Sequence, residues 1–95
     1  MMIHITKEAQ QKLLSIELQD GVLPRIDAEV AGGCGLTVNY VFIFDHARRN
    51  DTIYQSNGFP IRVDYFTKRY LEGNAPTIDY ADGFHVINDV EFDSC

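Results

Sequence analysis

The stretch Val30-Ala31-Gly32-Gly33-Cys34-Gly35-Leu36 places three glycines around one of only two cysteines in this 95-residue chain. It joins two strand-like runs, residues 25–31 and 36–44. Glycine adopts backbone angles that other residues avoid and lets a ligand approach the main chain closely. The sequence therefore predicts a thiol on a bare-backbone loop held between two strands. The second cysteine, Cys95, is the last residue, so the relation between the two sulfurs is the central functional question.

Composition and charge narrow the class of protein. Eight Lys and Arg stand against fourteen Asp and Glu, giving a formal net charge of −6. Nucleic-acid phosphates and anionic membranes are bound mainly by Lys and Arg, so neither is an expected partner. No apolar run approaches the roughly 20 residues of a membrane helix, and the N-terminus lacks the apolar centre of a signal peptide. We expect a single cytoplasmic domain over residues 1–95.

Hydrophobic periodicity predicts the secondary structure. A helix over residues 7–19 begins at the N-cap Thr6 and stops at Asp20-Gly21, and a short helix over residues 65–72 follows Asp64 and closes at Gly73. The predicted strands cover residues 2–5, 25–31, 36–44, 52–56, 59–63, 77–81 and 84–88, with a last extended piece at 90–92.

Strand patterning and turns predict the fold class. In residues 25–31, Ile26, Ala28 and Val30 alternate with charged residues, which indicates a sheet with one wet face. Residues 36–44 end apolar on both sides, which predicts a central strand, and residues 45–50 form a polar loop. Asn57-Gly58 and Asp82-Gly83 are hairpin turn signals. The strands cluster rather than alternate with helices, which favours an α+β fold with a largely antiparallel, curled sheet.

The two cysteines are the strongest candidates for chemistry. Backbone N–H groups in a glycine-rich turn can form an anion-binding concavity that favours the thiolate of Cys34, the form that binds metals. At Cys95, the α-carboxylate and Asp93 add hard oxygen ligands for a cation such as iron. Two cysteines cannot complete a four-thiolate iron–sulfur site, but a symmetric dimer brings four together. The plainer alternatives are a turn thiol that only serves geometry and an inert terminal residue.

The three histidines show no metal-ligand spacing. His46 is predicted to be a solvated loop residue, and His4 and His85 to be hydrogen-bonded strand residues. Only His85, close in sequence to the cysteine tail, is a candidate accessory ligand. A nucleophilic pair of Cys34 with His85 or His4 lacks any accompanying oxyanion or base-orienting signature.

The remaining aromatic residues have two interpretations. They are most simply core and edge residues, but if several are exposed together they mark a partner surface. The residues concerned are Tyr54, Tyr65, Phe66, Tyr70 and Tyr80.

The order of these segments resembles the A-type iron–sulfur carrier family, the HesB/IscA-like domain, nearly from end to end. The residues that carry the resemblance are Ile5-Thr6-Lys7-Glu8-Ala9, Gly32-Gly33-Cys34-Gly35-Leu36 (similar to a Gly-Gly-Cys-Ser-Gly loop), the hairpin from Asp51-Thr52 to Val63-Asp64, Tyr70-Leu71-Glu72-Gly73, Ile78-Asp79-Tyr80 and the strand 84–88.

The resemblance implies a compact, β-rich HesB-like fold with partly barrel-like sheets, one N-terminal helix and one short helix. It implies a non-catalytic protein that binds iron or an iron–sulfur cluster through cysteines, commonly as a homo-oligomer, and delivers it to apoprotein clients or cluster-assembly proteins. Cys34 matches the loop cysteine of the family, and Cys95 falls where the first of a C-terminal pair is expected. The second member of that pair is absent, and Gly35 stands where the family has serine.

Three functional hypotheses follow. The first is an iron or iron–sulfur carrier that binds metal through Cys34 and Cys95. The second, motivated by the missing third cysteine, is a degenerate interaction or regulatory module of the same fold without metal. The third is redox sensing through a reversible Cys34–Cys95 disulfide, which a reducing cytoplasm disfavours as a permanent bond.

Overall fold

The structure is a computed structural model that describes residues 2–31, 37–71 and 74–87. Predictions for Gly32-Gly33-Cys34-Gly35-Leu36, Glu72, Gly73, Asn88 and residues 90–95 fall outside these ranges. In chain order the elements are β1 (His4–Ile5), α1 (Lys7–Ser15), β2 (Val22–Ala31), β3 (Thr37–His46), β4 (Asp51–Ser56), β5 (Phe59–Asp64), α2 (Tyr65–Leu71), β6 (Thr77–Tyr80) and β7 (Phe84–Ile87).

The described strands form two sheets. One has the order β3-β2-β5-β4 and the other the order β1-β6-β7. The pairs β2–β5 and β1–β6 are parallel, and the other three pairs are antiparallel. The predicted α+β, largely antiparallel architecture is confirmed, with the qualification that the sheets are two mixed sheets and not a closed barrel.

The core lies where both sheets and both helices meet. Ile26, Ile61 and Val63 of the larger sheet and Ile78 of the smaller sheet are fully buried. The helices add Ala9 and Leu13 of α1 and Leu71 of α2, and the cluster is completed by Ile3, Ile5 and Phe42. Burying such side chains stabilises the protein by about 25 cal/mol per Å² of apolar surface.

The helix α1 starts as predicted and ends earlier. The Thr6 hydroxyl accepts a hydrogen bond from the Ala9 N–H at 3.2 Å and donates one to Asp79 Oδ1 at 2.7 Å. The helix ends at Ser15 rather than Gln19, because Ile16 is already extended and the Ser15 hydroxyl bonds back to the Lys12 carbonyl. The predicted stop at Asp20-Gly21 is therefore wrong by four residues, since the apolar pattern continues past the point where the backbone turns.

The long strand β3 is also placed differently. It lies at the edge of its sheet, so the prediction of a central strand is wrong. The apolar face of β3 packs against β7 of the other sheet, and this packing accounts for its apolar residues without a second neighbouring strand. Asp45 and His46, predicted as loop, continue the strand, because they pair with Leu23 and Val22 of a β2 that begins earlier than expected.

Local turn and cap signals are confirmed. Asn57 and Gly58 have φ of 51° and 83° in the β4–β5 turn, and Asp82 and Gly83 also have positive φ before β7. The Asp64 carboxylate caps α2 by accepting from the Thr67 N–H at 2.8 Å. Within the described part of the chain, no helix has the length and apolar content that crossing a bilayer requires.

Candidate functional site

The glycine loop lies, in the sequence, between the two strands that form the longest strand pairing among the described residues. Ten consecutive pairs link β2 and β3, from Val22 with His46 to Ala31 with Thr37. Cys34 itself lies outside the described residues. Ala31 and Thr37, the last described residues before and after residues 32–36, nevertheless pair with each other. Both ends of the cysteine loop are therefore attached to the hairpin.

The strand that leads to the C-terminal cysteine packs on the same hairpin. The Phe84 ring of β7 lies 4.9 Å from Phe42 and 5.7 Å from Phe44, both on β3, measured between ring centroids. β7 is therefore held against the strand that directly follows the glycine loop. Cys34 and Cys95 both lie outside the described residues, and the metal hypothesis, which depends on the distance between their sulfurs, stays a prediction.

Two of the three histidines occupy the predicted strands, and the third lies in a strand that was predicted to end before it. His4 and His85 are exposed residues of β1 and β7, and the His85 ring lies 2.9 Å from the Ala81 carbonyl oxygen through Nε2. His46 is exposed at the end of β3 rather than in a loop. Among the described residues, no group of three or more His, Cys, Asp or Glu side chains is placed to hold a metal ion. The role of His85 as an accessory ligand stays a prediction.

The opposite end of the hairpin holds a charged cluster that the sequence analysis missed. Arg25 was predicted on a wet face, and this is wrong: its side chain is fully buried. It forms an ion pair with Asp51, lies 3.5 Å from Asp27 and donates to the His46 carbonyl oxygen at 3.3 Å. The loop between β3 and β4 covers it, because Asp51 also accepts from the Arg48 N–H at 2.6 Å.

Arg48 completes this cluster from the solvent side. It contacts Asp27 in a two-pronged pair, at 3.0 Å and 2.9 Å, and reaches Asp45 and Asp64 at 3.5 Å and 3.4 Å. Arg48 thus ties β2, β3 and β5 together at one point. The only advance signal was the density of charged residues between positions 45 and 51, which sequence alone does not distinguish from a solvated loop.

These contacts shift the titration of the cluster. Burial by itself raises the pKa of Asp51, but the Arg48 N–H and the Arg25 guanidinium outweigh it and hold that pKa below its usual value. The His46 N–H and then Arg48 lower the pKa of Asp45, and the hydrogen bond with Asp27 raises the pKa of Arg48. The Asp45 and Asp51 carboxylates therefore stay ionised at neutral pH.

The charged cluster and the cysteine loop are separate sites. Arg25 and Ala31 lie six residues apart on β2, which at 3.2–3.4 Å per residue corresponds to ~20 Å along the strand. The cluster therefore does not belong to the thiol chemistry. It fixes the base of the hairpin from which the loop projects.

The sequence was also compared with known proteins. The sequence profile of the iron–sulphur cluster biosynthesis family matches residues 1–88. The chain belongs to this family. A search of curated proteins gives no match. The HesB/IscA-like resemblance is thereby confirmed, and a role in iron–sulfur cluster biosynthesis follows from family membership.

Family membership bears differently on the two cysteines. The matched segment contains Cys34 and its flanking strands, whereas Cys95 lies seven residues beyond it. Cys34 lies within the matched segment, in the sequence between the paired strands β2 and β3, and its role as a ligand stays a prediction. Cys95 rests on its place in the sequence alone.

Proposed function

We propose that this member of the iron–sulphur cluster biosynthesis family is a non-catalytic, cytoplasmic carrier that holds iron or an iron–sulfur cluster as cargo. Its ligands are the thiolates of Cys34 and Cys95, and it passes the cargo to apoprotein clients or other assembly proteins. The observation that carries the proposal is the family match across the Cys34 loop.

The hairpin supports this role for Cys34. Thiolates are preferred ligands for iron in clusters, and a metal ligand needs a firm attachment to hold its geometry. The continuous β2–β3 ladder supplies that attachment on both sides of residues 32–36. The packing of Phe84 on β3 brings the start of β7, the last described strand before Cys95 in the sequence, next to the same hairpin.

The number of cysteines predicts the oligomeric state of the loaded protein. A chain with two cysteines supplies at most two thiolates, and a four-thiolate cluster then needs two chains related by a two-fold axis. We therefore expect the loaded form to be a homodimer.

Anaerobic reconstitution with ferrous iron and sulfide tests the proposal. Wild type is expected to develop the visible absorption of thiolate-to-iron charge transfer and to elute as a dimer in size-exclusion chromatography. Cys34→Ala is expected to lose both, and Cys95→Ala to lose most of the absorption. His4→Ala is the control, and we expect it to retain the wild-type spectrum, because His4 is an exposed residue of β1 and is no ligand candidate. His85→Ala tests the accessory-ligand prediction and is expected to alter the spectrum without abolishing it.

The result that would overturn the carrier proposal is a Cys34→Ala protein that binds as much iron as wild type. A wild type that neither contains iron when purified without a histidine tag nor takes it up would favour the second hypothesis, a module of the same fold that acts without metal. Titration of free thiols after mild peroxide treatment separates the redox hypothesis, which predicts that both thiols disappear together within one chain.

A further inference from the structure

The helix α2 exposes aromatic side chains on its outer face. Its inner face is fixed to the sheet: Leu71 is fully buried, and the Thr67 hydroxyl accepts from the Ala28 N–H of β2 at 3.0 Å. On the outer face, 59% of Tyr65 and 51% of Phe66 are exposed to solvent. The Phe66 ring packs against Tyr70 at 5.2 Å in an edge-to-face arrangement. Exposed aromatic residues in a cluster are typical of a surface that a partner covers.

Two clefts lie on either side of Phe66. One, of about 220 Å³, is lined by Phe66, Arg69 and Tyr70. The other, of about 290 Å³, opens toward the β3–β4 loop. Together they form what we call the α2 surface, whose described lining residues are Arg48, Arg49, Asn50, Asp64, Tyr65, Phe66, Arg69 and Tyr70.

The charge of the α2 surface differs from that of the chain. Its described residues include three arginines and one carboxylate, in a protein whose formal net charge is −6. That carboxylate, Asp64, is already engaged by the Thr67 N–H and Arg48. Arg49 and Arg69 are exposed, and no ion pair to another described residue engages either. Two exposed arginines thus lie beside three aromatic rings, and among the described residues neither has an acidic partner.

We propose that the α2 surface is a docking site for an acidic segment of another protein that also carries aromatic or leucine side chains. Tyr, Phe and Arg are the residue types enriched at protein interfaces, and Arg pairs with carboxylates through two parallel hydrogen bonds. The apolar side chains of such a segment fill the clefts beside Phe66, and its carboxylates meet Arg49 and Arg69.

Charge excludes the other occupants. A second copy placed by a two-fold axis on the same patch sets arginines against arginines, which costs binding energy. A nucleic acid meets few cations on a chain with a large excess of negative charge. The docking site consists of described residues and needs no metal, so it stands or falls independently of the carrier proposal.

Fluorescence anisotropy with labelled synthetic peptides of equal length tests the docking site on the full, metal-free chain. The four probes alternate Glu with Phe, Glu with Gly, Gln with Phe, and Lys with Phe, and a labelled oligothymidylate is the fifth probe. We expect the Glu–Phe peptide to bind most tightly, and its affinity to fall as salt is added because exposed charges are screened. Tighter binding of the oligothymidylate, or equal binding of the Glu–Phe and Lys–Phe peptides, overturns the proposal.

Matched variants locate the binding. Arg69→Glu is expected to weaken the Glu–Phe peptide roughly tenfold or more, the effect of about 1.4 kcal/mol at one interface residue. Lys7→Glu, an equal charge reversal on α1, is the control and is expected to change binding less than threefold by long-range charge alone. Phe66→Ala is compared with Ile53→Ala on β4, since both side chains are 51% exposed. If the two members of either pair weaken binding equally, or wild type binds none of the peptides, the docking site is refuted.

Discussion

The two ends of the β2–β3 hairpin are stabilised in different ways. At the base, Arg25 is buried among carboxylates and Arg48 clamps three strands. At the loop end, the backbone pairs continue to Ala31 and Thr37, Glu29 forms no ion pair with another described residue, and Val30 is 37% exposed. The difference shows that the side-chain interactions are concentrated far from the cysteine loop. The end that is proposed to exchange metal depends on the ladder, so its chemistry and the stability of the fold are separable.

Breaking the base of the hairpin should produce the largest effect on stability. Arg25→Met leaves the buried Asp51 without its guanidinium, and removing one partner of a buried ion pair costs about 3–5 kcal/mol. We expect a loss of about 3 kcal/mol in the free energy of unfolding, measured by urea denaturation. Arg49→Met, an exposed arginine of the adjacent loop, is the control and should change stability by less than about 0.5 kcal/mol. Equal effects of the two substitutions would contradict the comparison.

Acid should weaken the base before it affects the loop end. The pKa values of Asp45 and Asp51, both in the charged cluster at the base, are lowered in the folded state. In acid the unfolded chain therefore binds more protons than the folded chain does. The contribution of these carboxylates to the free energy of unfolding is fully present above about pH 4, and it is lost as the pH falls through their lower folded pKa values. Urea denaturation from neutral to acidic pH should show this loss. Asp51→Asn should start less stable at neutral pH and show a shallower fall; a slope equal to that of wild type would exclude Asp51 as a source.

The loop end should respond least to substitution. Val30→Thr keeps the β-branched shape at a partly exposed strand position, so we expect a change of less than about 0.5 kcal/mol in the free energy of unfolding. Native-state hydrogen exchange gives a finer measure of the same comparison, with slower exchange at Ile26 than at Val30. Equal protection at both positions would mean that the ladder is uniformly stable and that the base has no special role.

Features encoded within a few residues were predictable from the sequence. The Thr6 cap, the Asn57-Gly58 turn and the Asp64 cap each depend on contacts between near neighbours, and each was confirmed. Several short motifs along the chain together indicated the HesB/IscA-like family, and the family match over residues 1–88 confirms it. Helix caps and turns can therefore be predicted from a few consecutive residues.

Features that depend on distant contacts were not predictable. The pairing of β2 with β5 and the burial of Arg25 require knowing that Asp51 and Arg48 return to the same place. The early end of α1 at Ser15 likewise contradicts an apolar pattern that continues to Ile16 and Leu18, of which Leu18 remains exposed. The charged cluster could not be predicted from the sequence, because its members are spread from residue 25 to residue 64.

The hydrogen bond between Thr6 and Asp79 has a consequence for the order of folding. It joins residues 73 positions apart, and the Thr6 N–H and His4 N–H also bond to carbonyls at Ile78 and Pro76. The pairing of β1 with β6 therefore closes one of the longest chain loops in the fold, and long-range pairing of this kind slows folding. We expect the smaller sheet to be completed late, after the β2–β3 and β4–β5 hairpins, whose strands are neighbours in the sequence.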